Sequence, residues 1–310
     1  RDGQSDIARL KQRRAAMIFT PAQTADAHRR AAGWFMRHGQ FEDALHHAVT
    51  IQDFDLAAEV VEAGFPEALD REDRLTLERW LQLFPAAFIE GHPGLLCTRV
   101  VAEQMAWRFE AIGRDLALLK QHLEGSTAPH TTLPVSLLAG TVRCIEAILA
   151  YFTNQMEASE AYAVESLSLL PSNVHFLRGG AMIFWGAAAQ GAGRAAFVEP
   201  AIWAEYDTLP DRATSYAIRI LQALTCSALQ GGRLNEAHHC ASLMQEKAEQ
   251  DGYSLMLGWA HFWLGLIHFE WNELPAARQH FAAVTERRYD THAQAARHSM
   301  IGLTMIEALH

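Results

Sequence analysis

Lysine is nearly absent from this 310-residue sequence: Lys11, Lys120 and Lys247 are the only ones, and none follows a glycine. That excludes a GxxxxGK[ST] phosphate loop from these residues, because such a loop needs its lysine to reach the phosphates. Positive charge is scarce altogether, with 26 Lys plus Arg against 36 acidic residues and a net charge of −10. Such a balance disfavours a nucleic-acid grip, so any DNA contact is expected from another part of the polypeptide. Cysteine occurs only at 97, 144, 226 and 240, with no CxxC pair. Four reduced thiols in a cytoplasmic protein are expected, not a disulfide framework. Nucleophile elbows (GxSxG), HExxH and cysteines with a catalytic signature are all missing, and the chain is read as not an enzyme. The most apolar stretch, Leu255 to Ile267, contains His261 and is too short to span a bilayer. No signal peptide precedes Arg1, and a piece of a longer protein is expected.

Half of the residues are hydrophobic and 20% are charged, a composition that builds a core. Alanine and leucine recur three and four apart, while period-2 runs bounded by turns are missing. The expectation is all-α. The segment from Trp259 to Phe281 resembles a tetratricopeptide repeat (TPR): Leu264-Gly265 in a first helix, Asn272 at the turn, Ala277 and Phe281 in a second. Small residues at 265 and 277 let two helices approach, and Phe281 fills the space towards the next pair. Asn272 is expected to cap the second helix, and Pro275 to sit in its first turn. Gly232 with Ala237 and Gly39 with Ala44 repeat the spacing, as do Asn154 with Ser159 and, more weakly, Gly191 with Ala196. Pro200 is expected to break or kink the helix after Gly191. Steps of 40 and 41 residues separate Ala196, Ala237 and Ala277, longer than the ordinary TPR period of about 34. These hairpins are expected to stack into a right-handed superhelical solenoid.

Breaks are expected at Gly91–Gly94, Pro171–Asn173 and Leu209–Asp211, and above all in the 125–134 stretch. The organisation read from this is 1–20 as the end of a preceding module or a linker helix, 21–124 as N-terminal repeats, 125–134 as a loop or linker, and 135–310 as C-terminal TPR-like repeats. The basic run Arg9–Arg14 reads as the polar face of one helix rather than a nucleic-acid or membrane patch. Sixteen histidines include the adjacent pairs His46-His47 and His238-His239. Neighbours in a helix point about 100° apart, so no metal site is expected.

The run from His28 through Trp34, Gly39 and Ala44 to Ala48, followed by Asp53 to Glu62, resembles a known family. It is similar to the region after the nucleotide-binding module in MalT-like, large LuxR-type transcriptional regulators. The match continues with Leu75 to Pro85, including Trp80, and with His92-Pro93, where the family has an Arg-Pro pair. The resemblance implies a signal-transducing ATPase in which a helical repeat region senses an inducer and supports self-association. On that reading this segment holds no cofactor, ATP belongs to a missing N-terminal module and DNA to a missing C-terminal one, and there is no membrane.

Aligning Gly191, Gly232 and Asn272 as turn residues places Arg178, Arg219 and Trp259 at one equivalent position of the first helices. Ala181, Gln222 and Phe262 then form a second, and Trp185, Cys226 and Leu266 a third. The groove so defined, with Arg178, Trp185, Arg219, Gln222, Trp259 and Phe262, suits a small polar or anionic inducer or an extended peptide, since arginine supplies forked donors and the rings stacking faces. Arg178 and Arg219 are expected to be accessible on the same concave face. The function read from the sequence is the ligand-sensing and protein-interaction region of such a regulator. A free-standing scaffold for a peptide or protein partner, and the regulatory arm of a kinase or other enzyme, are the alternatives.

Overall fold

The computed structural model describes residues 20–125, 130–210 and 214–309. The segment expected to end a preceding module, with its basic run Arg9–Arg14, lies outside the described residues apart from Thr20, as do the middle of the 125–134 stretch and Asp211. Sixteen helices and no strand occur among the described residues. They form two compact units that divide between Pro134 and Val135.

The first unit holds α1 (Pro21–Arg37), α2 (Phe41–Thr50), α3 (Phe54–Asp70), α4 (Arg74–Leu81), α5 (Ala86–Gly91), α6 (Pro93–Met105) and α7 (Phe109–Glu124). Helix starts are written into the chain: Thr20 and Gln23 form a capping box on α1, and Asp53 and Asp73 accept the amides of Leu56 and Thr76. The tryptophan of the family-like segment has a packing reason. A Cβ on Gly64 would meet the Trp80 ring at 2.8 Å and the Phe41 ring at 2.9 Å, so only glycine lets α2, α3 and α4 close there. The Trp80 indole then donates to Glu42 at 2.9 Å.

The second unit holds α8 (Val135–Phe152), α9 (Met156–Leu169), α10 (His175–Gly191), α11 (Ala195–Thr208), α12 (Ser215–Gln230), α13 (Leu234–Asp251), α14 (Ser254–Glu270), α15 (Leu274–Glu286) and α16 (Ala293–Ala308). Its helices pair in order, α8 with α9 through α14 with α15, and the first helices of neighbouring pairs also pack together, α10 on α12 most extensively. This is the solenoid arrangement of TPR-like hairpins. Among the described residues, helix α8 alone is long and apolar enough to cross a membrane, and 56% of that stretch is buried within the protein, as a core helix requires.

One turn geometry recurs eight times. Gly39, Gln52, Glu72, Trp107, Asn154, Gly193, Gly232 and Asn272 all have φ between 54° and 72°. Each lies two residues before the next helix. In each, the left-handed residue donates to the carbonyl three back, and its successor to the carbonyl five back, as in Asn272→Phe269 at 2.9 Å and Glu273→His268 at 2.8 Å. These bonds satisfy the last carbonyls of the helix just ended. Asn272 therefore closes α14 and does not cap α15, whose N-cap is Glu273; this corrects the sequence expectation. Pro275 does occupy the first turn of α15.

Two further expectations are corrected. The second hairpin turns at Gly193, φ 72°, and not at Gly191, which is the last residue of α10. The position five beyond the turn is then Val198, not Ala196. Pro200 does not break the helix either: α11 runs from Ala195 through it to Thr208. In the second unit the turn residues fall at 154, 193, 232 and 272, a period of 39 to 40 residues.

Packing repeats with the same period. Seven residues before the turn stand Ala147, Gly186, Thr225 and Gly265, and nine after it Ala163, Ile202, Ala241 and Phe281. Where the second residue is large, the first is glycine: a Cβ on Gly186 would meet Ile202 at 3.2 Å, and one on Gly265 would meet Phe281 at 2.7 Å. Phe281 also lies on Gly302 of α16.

Candidate functional site

The corrected turn changes the register of the groove. Thirteen residues before Gly193 stands Gly180, so Gly180, not Arg178, is the equivalent of Arg219 and Trp259. Arg178 lies two residues earlier, on another side of α10. Its guanidinium donates to the carbonyls of Leu167 at 3.0 Å and Leu170 at 3.2 Å, and to Glu205 at 3.1 Å. Tyr216 donates to the same Glu205 oxygen at 2.8 Å, and burial pushes its phenol up from the ordinary value. Arg178 thus closes the C-terminal end of α9 and ties it to α11 and α12.

Arg219 is only 6% exposed, which corrects the expectation that both arginines are accessible. Its aliphatic stem lies on Gly179, where no Cβ would fit, and its guanidinium sits 4.6 Å over the Phe176 ring. The sequence pattern missed this because a glycine opposite a long side chain is visible only once two helices are paired.

The other four residues divide into two groups. Trp185 on α10 and Gln222 on α12 line the core between the second and third hairpins; neither the buried indole Nε1 of Trp185 nor the Gln222 Oε1 has a hydrogen-bond partner among the described residues. A buried polar atom left without a partner is costly, on the order of 1–3 kcal/mol. Trp259 and Phe262 come together on α14. Trp259 stacks on Trp263 with ring centroids 5.8 Å apart and lies 5.1 Å from His292, and Phe262 lies 5.6 Å from His298. The six residues therefore do not form one strip with two open arginines. They form a clamped arginine, a buried arginine, a buried glutamine beside the half-buried Trp185, and an aromatic cluster facing α16.

Nucleophilic chemistry finds no footing in the cysteines. All four are buried, and burial pushes Cys144, Cys226 and Cys240 up to about 12, so these thiols are protonated near neutral pH. Among the described residues no group of three or more His, Cys, Asp or Glu side chains has metal-holding geometry. The histidines instead form pairs that the sequence reading passed over. His28 and His47 approach at Nδ1···Nδ1 2.8 Å, and His261 and His280 at 3.0 Å. Both pairs occupy equivalent places, eleven residues before and eight after a turn residue, Gly39 or Asn272. That shared spacing was the available signal. Burial, then His261, His268 and His238, hold His280 down to about 4, and burial first also lowers His47 and His261. In each pair the Nδ1–H of one ring donates to the Nδ1 of the other.

A family model described as the MalT-like TPR region matches residues 140–305. The HTH-type transcriptional regulator MalT of Vibrio parahaemolyticus serotype O3:K6 (strain RIMD 2210633) is 27% identical over 169 residues, which cover 54% of this chain and 18% of that relative. The matched part thus spans about a fifth of the length of that relative. No solved structure matches significantly.

Proposed function

The chain belongs to the MalT-like TPR region family, and from that premise we propose that it is the signal-sensing and protein-interaction region of a large LuxR-type transcriptional regulator working in the cytoplasm. The single observation that carries this reading is the family match over 140–305, which spans four hairpins and most of α16. A regulator's name on the relative supports it. In this reading the repeat unit takes a small inducer or a peptide and passes the change on by self-association, while ATP and DNA are handled by flanking modules. The buried unpartnered Trp185 Nε1 and Gln222 Oε1, together with the Trp259–Phe262 cluster, support a ligand with both hydrogen-bonding groups and a flat or apolar face.

The test is a thermal-shift screen of metabolites and short peptides on the 310-residue chain, followed by sedimentation of the intact polypeptide with each binder. The expected result is a binder that raises the unfolding midpoint through linkage and moves the intact polypeptide from monomer to a larger species. Trp259→Ala should weaken both effects together. A binder that leaves the association state unchanged would point to the free-standing scaffold instead.

A further inference from the structure

The first unit carries a charge in its core that folding alone does not require. Glu62 lies on α3 among the buried residues Val60, Val61, Gly64 and Phe65, and its side chain is 1% exposed. No arginine or lysine pairs with it among the described residues. His92 stands nearest, with its Nδ1 3.6 Å from the Glu62 Oε1. That nitrogen already accepts from the Leu95 amide, and burial, ahead of every other cause, lowers the imidazole from its ordinary value. His92 is therefore neutral at pH 7 and supplies no counter-ion. A carboxylate so placed is costly unless donors reach it.

The donors come from one short strap, residues 130–134, between α7 and α8. The Thr131 hydroxyl donates to the Glu62 Oε1 at 2.5 Å, and the Thr132 amide to its Oε2 at 2.6 Å. The Thr132 hydroxyl donates to Oε2 as well. Within the strap, the Leu133 amide donates to the Thr131 Oγ1 at 3.1 Å. The start of α6 leaves room for this meeting: a Cβ on Gly94 would stand 1.6 Å from the Glu62 Oε1 and 2.6 Å from the Thr131 Oγ1. Leu133 is the only buried residue of the strap, while His130, Thr132 and Pro134 are exposed. Among the described residues, every hydrogen bond to the Glu62 carboxylate therefore comes from the strap.

We propose that residues 130–134 are a latch, a strap that docks on Glu62 and releases as one piece while the helices beneath it stay folded. The choice of residue at 62 carries this. A carboxylate has two satisfied states: bonded to the strap's donors, or hydrated by water that enters when the strap lifts. An aliphatic staple has only the first, because water does not replace it. The bonds to Glu62 are charge-assisted and fix the strap in one register, and a single buried side chain, Leu133, adds to them. The strap ends at Pro134, where the first unit ends, so its release lengthens the free connection that leads to α8. The latch stands whether or not the chain senses an inducer.

The test is native-state hydrogen exchange on the 310-residue chain, read residue by residue as urea is raised below the unfolding transition. The Thr132 and Leu133 amides are expected to be protected, and to exchange by an opening that low urea hardly speeds, because lifting the strap exposes little surface. Amides in α3 and α6 should instead exchange faster with urea, as unfolding of the whole unit does. Glu62→Gln keeps the shape and removes the charge; it should speed exchange at the two strap amides by about tenfold or more and leave α3 and α6 protected. Thr131→Val, which leaves α3 untouched, should act in the same direction. Strap amides that exchange in the parent chain as fast as an unstructured peptide overturn the latch. So does strap exchange that follows urea with the slope of α3, since the strap would then open only with the core. Strap exchange unchanged in both variants overturns it as well.

Discussion

At the residue scale, the left-handed turn positions are where this chain departs most from its local optimum. Gln52, Glu72 and Trp107 carry side chains at φ 54–56°, where a Cβ crowds the following carbonyl and glycine does not. Gln52 is exposed and its backbone geometry is already that of the glycine turns. Gln52→Gly is therefore expected to stabilise the first unit by about 1 kcal/mol, read as a higher urea midpoint with an unchanged slope; a lower midpoint would show that the side chain is doing something the turn geometry does not reveal. Buried acids and histidines set the pH dependence. Burial, then the nearby Asp115, raises Glu103 to about 7. Between the ordinary carboxylate range and pH 7 the folded chain holds a proton that the unfolded chain has released, so this group's contribution falls as pH rises through that window. His280, held down to about 4, acts on the other side: stability falls as pH drops from about 6.5, the ordinary imidazole value, towards 4. Glu103→Gln, whose amide stands in for the protonated acid, should gain on the parent chain more at pH 8 than at pH 5 in urea unfolding. An equal difference at both values would contradict the shifted acid.

At the element scale, helices and hairpins were legible and register was not. The segment 259–281 reads as a helical pair because leucine-glycine, turn asparagine, alanine and phenylalanine stand where close packing needs them, and α14 and α15 form there. The second hairpin failed at one point. Gln190-Gly191-Ala192-Gly193 offers two glycines, and only the backbone shows that the second takes the left-handed conformation. Two residues of slip rotate a helix by about 200°, enough to place Arg178 on the wrong side and to align it with Arg219. Pro200, expected to break or kink its helix, does not break it. Its missing amide forfeits one bond but does not stop α11, so the cost is carried locally. The Gly265–Phe281 contact is the sharpest expectation at this scale. Gly265→Ala puts a methyl 2.7 Å from the ring and should destabilise by about 1–3 kcal/mol. Adding Phe281→Leu should cost less in the Gly265→Ala background than alone, a coupling read by a double-mutant cycle. Strict additivity would mean the ring moves aside freely.

At the scale of the whole molecule, two compact helical units carry an acidic surface, buried thiols and no described metal cluster. The helical class was legible because periodicity is a property of every segment, whereas the candidate sites depend on which loop residue enters which helix, as Thr131 does at Gly94. The family match covers 140–305, and the matched relative is far longer than this chain, so the proposal that this is the sensing region of a larger ATP-dependent regulator is a claim about context. The most direct measurement is the sequence of the reading frame that flanks these 310 residues. Expected are a GxxxxGK[ST] loop upstream and a helix-turn-helix segment downstream. A protein-kinase signature upstream, or flanks with neither feature, would contradict it.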